Sequence, residues 1–173
     1  MTVKDILLLG NPRLYEVSSR VDRAELDKLS SVIQDLHDTM MAFRRKYGVG
    51  RAIAAPQIGV MKRLVYLEID RPVVFINPQL SNKSPEMMEI WDDCMSFPDL
   101  LVRVYRHRQC RIEFRGAKWE SKSLDLKDDM SELLQHECDH LDGVLAVSRA
   151  IDARSFALTS QRHLLQNRGV SGE

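Results

Sequence analysis

Two histidines four residues apart, with a glutamate directly after the first, form the segment of this sequence best able to do chemistry. They lie in the run Gln135-His136-Glu137-Cys138-Asp139-His140. Residues i and i+4 of an α-helix share a face, so His136 and His140 could bind one metal ion while Glu137 reaches a water molecule beside it. The pattern predicts metal-assisted hydrolysis, although the same spacing also occurs on helices that bind nothing.

A catalytic site of this kind generally uses three protein ligands and leaves a position for water. One class of zinc peptidases places a third histidine six residues after the second, but Ala146 occupies that position here. A ligating glutamate downstream is excluded as well, because only the terminal Glu173 follows Glu137. The remaining downstream donors are poor substitutes: Asp142, Asp152 and His163. A cysteine thiolate is the better candidate.

Cys94 lies between a predicted strand and the turn at Phe97 and Pro98, a placement that could direct it into a cleft, although taken alone it fits a buried core residue better. Cys138 is two residues from His136, about 200° around the helix, and therefore fits the core. Cys110 lies in a predicted strand and also fits the core. An odd number of cysteines without a secretory signal argues against a disulfide framework.

Composition excludes several classes of function. Lys plus Arg number 25 and Asp plus Glu number 25, so no net charge attracts DNA or an anionic membrane. No apolar run approaches the roughly 18 residues that a membrane span needs, and the N-terminus lacks the pattern of a signal peptide. We expect a cytoplasmic protein with one domain over residues 1–173.

Hydrophobic spacing predicts the elements that position the site. Apolar residues at steps of three and four predict an amphipathic helix over 21–47, with a capping box at Asp22 and Glu25 and a stop at Gly48. Short β-rich runs follow, and a second helix that begins near 127–129 carries the histidines and ends at Gly143. The strand-like runs are 63–69, 73–77, 87–91, 101–105 and 110–114. This order indicates an α+β fold. Residues 152–167 are expected to be weakly helical, with a frayed tail over 168–173.

Three segments together resemble the signature motifs of the peptide deformylase family. In chain order they are Gly50-Arg51-Ala52-Ile53-Ala54-Ala55-Pro56-Gln57, Asp92-Asp93-Cys94-Met95-Ser96 and Gln135-His136-Glu137-Cys138-Asp139-His140. The resemblance covers about residues 5–148. It implies the family's α+β arrangement, in which antiparallel sheets pack around a central metal-binding helix, with an amphipathic helix near the N-terminus.

The resemblance also implies a role for each matching residue. Cys94, His136 and His140 bind one divalent ion, typically Fe²⁺ in cells and often Zn²⁺ or Ni²⁺ in purified protein. Glu137 takes a proton from the attacking water and returns it to the leaving amine, while Gln57 and the backbone N–H of Met95 stabilise the oxyanion. Asp139 is expected to orient a histidine or to cap a neighbouring segment. The substrate pocket is expected to include Gly50, Ala52 and Glu132.

The sequence departs from the family pattern in both upstream motifs. Arg51 occupies an apolar position, Ala52 replaces a glycine, Asp92 shortens a glutamate and Asp93 replaces another glycine. Glu132, one turn before His136, is an acid where the family pocket is typically apolar. These changes bring substrate preference into question without altering the proposed ligands.

Three functions follow from these residues. The first is removal of the formyl group from formyl-methionyl N-termini of new polypeptides. The second is hydrolysis of another N-formyl or N-acyl amine by the same site, and the third is a metal-retaining binding module without catalysis. The expected partner is an N-formylated peptide, with no DNA and no membrane. A transient ribosome contact stays open, through the dispersed arginines Arg149, Arg154, Arg162 and Arg168.

Overall fold

The computed structural model describes residues 2–165. Two α-helices and eight β-strands follow one another, joined by short 3₁₀ turns. The helices are α1 (Leu26–Tyr47) and α2 (Asp129–Leu141). The strands are β1 (Ala52–Ala54), β2 (Leu64–Glu68), β3 (Pro72–Ser81), β4 (Met87–Asp93), β5 (Leu100–His107), β6 (Gln109–Arg115), β7 (Ser121–Lys127) and β8 (Phe156–Leu158). The expected α+β class is confirmed.

The strands form two antiparallel sheets. Five strands pair in the order β1-β2-β3-β6-β7, and three pair in the order β4-β5-β8. Helix α2 contacts strands of both sheets and buries Leu134, Cys138 and Leu141 against Phe75 and Ile112. The motif helix is therefore central, as expected, and its rigid backbone fixes the spacing of His136 and His140.

Helix α1 packs on the other side of the five-stranded sheet. Its buried residues Leu29, Leu36 and Met40 join a core with Ile53 of β1 and Leu64 of β2. The predicted helix starts five residues too early, because a 3₁₀ turn over Arg23–Glu25 precedes it. The predicted capping box is present there, and Gly48 ends α1 in the left-handed conformation with φ 74°.

The C-terminal prediction was wrong in part. Residues Phe156–Leu158 form β8 instead of a helix and pair with Leu100–Val102 of β5. Phe156 and Leu158 are two residues apart, which is the period of a strand, and β5 offers a free edge for pairing. Thr159–Leu164 form a 3₁₀ helix. The tail expected to fray, 168–173, lies outside the described residues.

Two further strands were not expected from the sequence. Strand β1 has only three residues, and β7 is mostly exposed and polar, so neither carries a clear hydrophobic pattern.

Within residues 2–165 neither α1 nor α2 combines the length and apolar character needed to cross a bilayer.

Candidate metal centre

Three buried side chains converge where the end of β4 meets α2. Cys94 follows β4, and its Sγ lies 3.3 Å from Nε2 of His140. The Nε2 atoms of His136 and His140 are 3.1 Å apart. One donor atom from each of the three residues lies within 4.8 Å of the others. The structure thus brings together the three residues that the sequence proposes as ligands.

A chain of buried charges orients one of these imidazoles. Oδ1 of Asp92 lies 2.9 Å from Nδ1 of His136, and its Oδ2 accepts a hydrogen bond of 2.8 Å from Arg106. Arg106 also donates to Asp139, 2.5 Å away, and Arg149 donates to both oxygens of Asp139 at 2.6 Å each. With Nδ1 held by a carboxylate, the Nε2 lone pair of His136 is directed at the centre.

Burial and neighbouring charges set the protonation states of the centre. Burial alone would lower the pKa of His136, but the charges of Asp92 and Cys94 outweigh it and raise that pKa well above its ordinary value. Burial alone would raise the pKa of Asp92, but the charges of His136 and Arg106 outweigh it and hold that pKa well below its usual range. Burial and the positive charge of His136 push the pKa of His140 well below its ordinary value. Asp92 is therefore an anion and His140 a neutral ring, which is the form that ligates a metal.

Glu137 lies beside the three donors and is 3% exposed. Burial raises its pKa to about 7. Its Oε2 is buried and has no hydrogen-bond partner within the described residues. A buried carboxyl group with a free oxygen and a near-neutral pKa can both take and return a proton close to physiological pH.

Gln57 faces the same centre from the 3₁₀ turn after β1. Its Oε1 accepts from the N–H of Ala54 at 2.9 Å, so its amide group can only donate on the other side. Nε2 lies 3.5 Å from Sγ of Cys94 and 3.3 Å from Oγ of Ser96. The backbone N–H of Met95 makes no hydrogen bond within the described residues. Gln57 and Met95 can therefore supply two N–H donors next to Cys94.

The donor set fits a divalent metal ion. One thiol and two imidazoles are the soft-to-borderline ligands that suit Fe²⁺, Zn²⁺ and Ni²⁺, and are unsuited to Mg²⁺ or Ca²⁺. The unpartnered Glu137 oxygen adds an acceptor for a water molecule at the same place. The other two cysteines are buried in the core, as expected.

A cavity of about 620 Å³ opens onto this centre. It is lined by Gln57, Cys94, Met95, His136 and Glu137, and also by the three residues expected in the substrate pocket, Gly50, Ala52 and Glu132. Gly50 has a φ of +127°, and a Cβ there would lie 3.3 Å from the Cε of Met95. The glycine therefore keeps the chain close to Met95.

Two features of the site differ from the expectations or were missed. Asp139 does not contact a histidine; it accepts from Arg106 and Arg149, and Asp92 holds His136 instead. Arg106 was not proposed at all, although it is 2% exposed. The signal was its position, because Arg106 follows the inward-facing Val102 and Val104 at two-residue intervals along β5 and so lies on the same face.

Comparison with known proteins identifies the family. The model of the family described as Polypeptide deformylase matches residues 3–155. The chain belongs to the peptide deformylase family. Peptide deformylase 1 of Prochlorococcus marinus is 36% identical over 175 residues, which cover 93% of this chain and 88% of that protein.

Solved structures agree in fold. A peptide deformylase from Synechococcus elongatus in complex with actinonin superposes with a TM-score of 0.80 at 28% identity, covering 87% of this chain and 80% of that one. A class I type b deformylase from Acinetobacter baumannii with Met-Ala-Ser bound gives 0.78 at 26%, covering 86% and 98%. These relatives give no support to the two alternative functions, another N-acyl amine substrate or a binding module without catalysis.

Proposed function

We propose that this protein removes the N-formyl group from formyl-methionyl N-termini of new polypeptides and releases formate. The carrying observation is that one buried cleft joins the Cys94, His136 and His140 donors to Glu137 and Gln57. The Acinetobacter baumannii relative holds Met-Ala-Ser, the peptide that remains when formyl-Met-Ala-Ser loses its formyl group. Family membership and the geometry of the cleft thus support the same reaction.

Cys94, His136 and His140 would hold one divalent ion through Sγ and the two Nε2 atoms. When bound, such an ion acidifies a water molecule and polarises the formyl carbonyl. We propose Fe²⁺ as the ion in cells, with Zn²⁺ or Ni²⁺ able to occupy the site in purified protein, because the donor set suits all three.

The chain's own residues move the proton and stabilise charge. Glu137 takes a proton from the attacking water as the water oxygen bonds to the formyl carbon. Nε2 of Gln57 and the N–H of Met95 donate to the formyl oxygen while it carries negative charge. Glu137 then delivers the proton to the amine nitrogen as the C–N bond breaks, which yields formate and a free N-terminus.

We also propose that the reaction takes place in the cytoplasm and that residues 1–173 act as one domain. New polypeptides are made in the cytoplasm, which is why we place the enzyme there. A transient ribosome contact through the dispersed arginines stays a prediction. Two of them are already engaged with carboxylates, since Arg149 holds Asp139 and Arg162 lies 3.4 Å from Asp93.

Turnover of formyl-Met-Ala-Ser by anaerobically prepared, Fe²⁺-loaded protein tests the proposal. We expect Glu137→Ala to lower kcat by about 10³-fold, because a positioned acid–base group typically contributes 10²–10⁴-fold. Metal content per chain is measured for both proteins, so that loss of the ion is separated from loss of the proton carrier. Equal rates for the two metal-loaded proteins would refute the role of Glu137, and no turnover by either would refute the function.

A further inference from the structure

One wall of the substrate cavity carries an ion pair. Nη2 of Arg51, directly before β1, lies 2.6 Å from Oε1 of Glu132 on α2. The Glu132 side chain is only 14% exposed, whereas that of Arg51 is 41% exposed. Glu132 precedes His136 by four residues, so both lie on the same face of α2, one turn apart. The pair therefore stands beside the reaction centre.

This pair differs from the other buried ion pairs of the protein in what it connects. Arg106 joins Asp92 to Asp139 and thereby ties two strands to α2. The guanidinium of Arg51, by contrast, makes no hydrogen bond to any described residue other than Glu132. Burial raises the pKa of Glu132 even though Arg51 opposes that shift. Burial thus disfavours the ionised form of Glu132, and packing alone does not explain why an acidic residue occupies this position in the wall.

Both members of the pair keep hydrogen-bonding capacity towards the cavity. Arg51 uses one of the five N–H groups of its guanidinium in the contact with Glu132. Glu132 uses Oε1 there, and its Oε2 accepts from no described residue. Because both residues line the cavity, this wall offers donors and an acceptor side by side. The pair has no net charge, so it does not favour a charged substrate side chain over a neutral one.

The first side chain of a formyl peptide can reach this wall. Its Cβ is three covalent bonds from the formyl carbon, which has to sit among Cys94, Glu137 and Gln57 for the reaction to occur. Four residues separate Glu132 from His136, a rise of about 6 Å along the helix. A side chain with four heavy atoms beyond Cα spans that distance when it extends along α2 towards the start of the helix.

We propose that Arg51 and Glu132 form the subsite for the first side chain and make it accept a neutral, hydrogen-bonding side chain of methionine length, such as the amide of glutamine, in addition to methionine. This inference rests on the proposed deformylase function. An amide can accept from Arg51 and donate to Glu132 at the same time. A charged side chain would have to displace Arg51 or Glu132 from the ion pair. An aliphatic side chain would cover the pair without replacing the hydrogen bonds that the pair makes to water.

Three substrates of equal length test the inference: formyl-Gln-Ala-Ser, formyl-Met-Ala-Ser and formyl-norleucyl-Ala-Ser. In the wild-type protein we expect kcat/KM for the glutamine peptide to be within about tenfold of that for norleucine. In the double variant Arg51→Leu/Glu132→Leu the norleucine-to-glutamine ratio should rise at least about tenfold, the effect of burying an amide without partners. Glu132→Gln keeps a partner for Arg51, so its ratio should stay within about threefold of wild type.

Arg111→Gln/Asp125→Asn, which removes an exposed pair on the β6–β7 hairpin, is the matched control and should leave the ratio unchanged. An unchanged ratio in the double leucine variant would overturn the inference. A wild-type preference for norleucine above about 100-fold would do so as well, whether or not the double variant folds, because the wall would then be acting as an apolar one.

Binding of the deformylated tripeptides Gln-Ala-Ser and norleucyl-Ala-Ser, measured by calorimetry, separates this inference from the proposed function. If no formyl peptide is hydrolysed, the deformylase assignment fails and the affinity ratio alone decides on the subsite. A rise of that ratio in favour of norleucine in the double leucine variant would support the subsite. Equal ratios in the two proteins would exclude it.

Discussion

The reaction centre and the rim of its cavity use charge in opposite ways. At the centre, Asp92 and Arg106 are almost fully buried, and each has two partners within hydrogen-bond distance: Arg106 and His136 for Asp92, and Asp92 and Asp139 for Arg106. At the rim, Arg162 and Asp93 are 53% and 44% exposed and meet at 3.4 Å. Water screens the rim charges, whereas the buried ones depend on each other for stability.

This difference predicts how well each region tolerates substitution. A buried donor must keep its geometry, because a shift would leave another buried group unsatisfied. A rim residue can change without such a cost. The cavity wall between the two is intermediate, because the side chains of Arg51 and Glu132 are 41% and 14% exposed. We therefore expect the effect of a substitution on stability and activity to decrease from the reaction centre to the rim.

The largest effect is expected at Asp92. Asp92→Asn keeps the shape of the side chain but leaves Arg106 with one buried carboxylate partner, Asp139, which should destabilise the fold by about 3–5 kcal/mol at pH 7. Affinity for the metal ion should also fall, by about 10–100-fold, since Nδ1 of His136 loses its anionic partner. Urea unfolding and competition with a chelator measure the two effects.

The pH dependence of that loss follows from the depressed pKa of Asp92. A carboxyl group with a lowered folded-state pKa contributes stability that is fully present above its unfolded value, 3.8, and is lost as the pH falls below it. Wild type and Asp92→Asn should therefore converge in stability below about pH 4. A constant difference down to pH 2 would mean that packing, and not the charge, accounts for the loss. Asp125→Asn, on the exposed hairpin, is the matched control and should change little.

Glu137 should show the opposite sign. Its folded-state pKa, about 7, lies above the unfolded value of 4.5, so the fold favours the protonated form and loses stability as the pH rises from 4.5 to 7. Metal-free Glu137→Gln, which imitates the protonated acid, should be more stable than metal-free wild type by about 3 kcal/mol at pH 8.

That advantage should vanish below about pH 4.5, where both states of the wild-type protein bind the proton. Thermal or urea unfolding of the two metal-free proteins at pH 4, 6 and 8 follows the trend. Equal stability of the two metal-free proteins at pH 8 would contradict the raised pKa of Glu137. It would show that the centre tolerates an unpaired charge as well as the rim does.

Sequence reasoning succeeded where chemistry lies in local patterns. The spacing of His136 and His140 follows from helix geometry, and elimination of downstream donors led to Cys94, which the structure places beside them. It failed where partners are distant along the chain. Arg51 and Glu132 were both noted as departures, but their pairing across 81 positions has no local signal. The same limit hid the contacts of Arg106.

Strand predictions show a similar division. The runs that became β2, β4, β5 and β6 combine β-branched residues with turn residues at their ends. Strand β7 is mostly exposed and lacks an alternating hydrophobic pattern, and its backbone pairing with β6 holds it in the sheet. Strand β8 pairs with the edge of β5, and its three residues include only two large apolar side chains that could indicate a strand.

The smallest effect is expected at the rim. Arg162→Ala removes an exposed contact with Asp93, and exposed pairs contribute about 0–1 kcal/mol. At 0.15 M salt we therefore expect kcat/KM for formyl-Met-Ala-Ser to stay within about threefold of wild type, with an unchanged unfolding midpoint. Lys122→Ala, which loses the exposed contact with Glu120 far from the cavity, is the matched control. If only Arg162→Ala lowers kcat/KM by tenfold or more, the rim guanidinium contacts substrate, and the gradient from centre to rim is not one of burial.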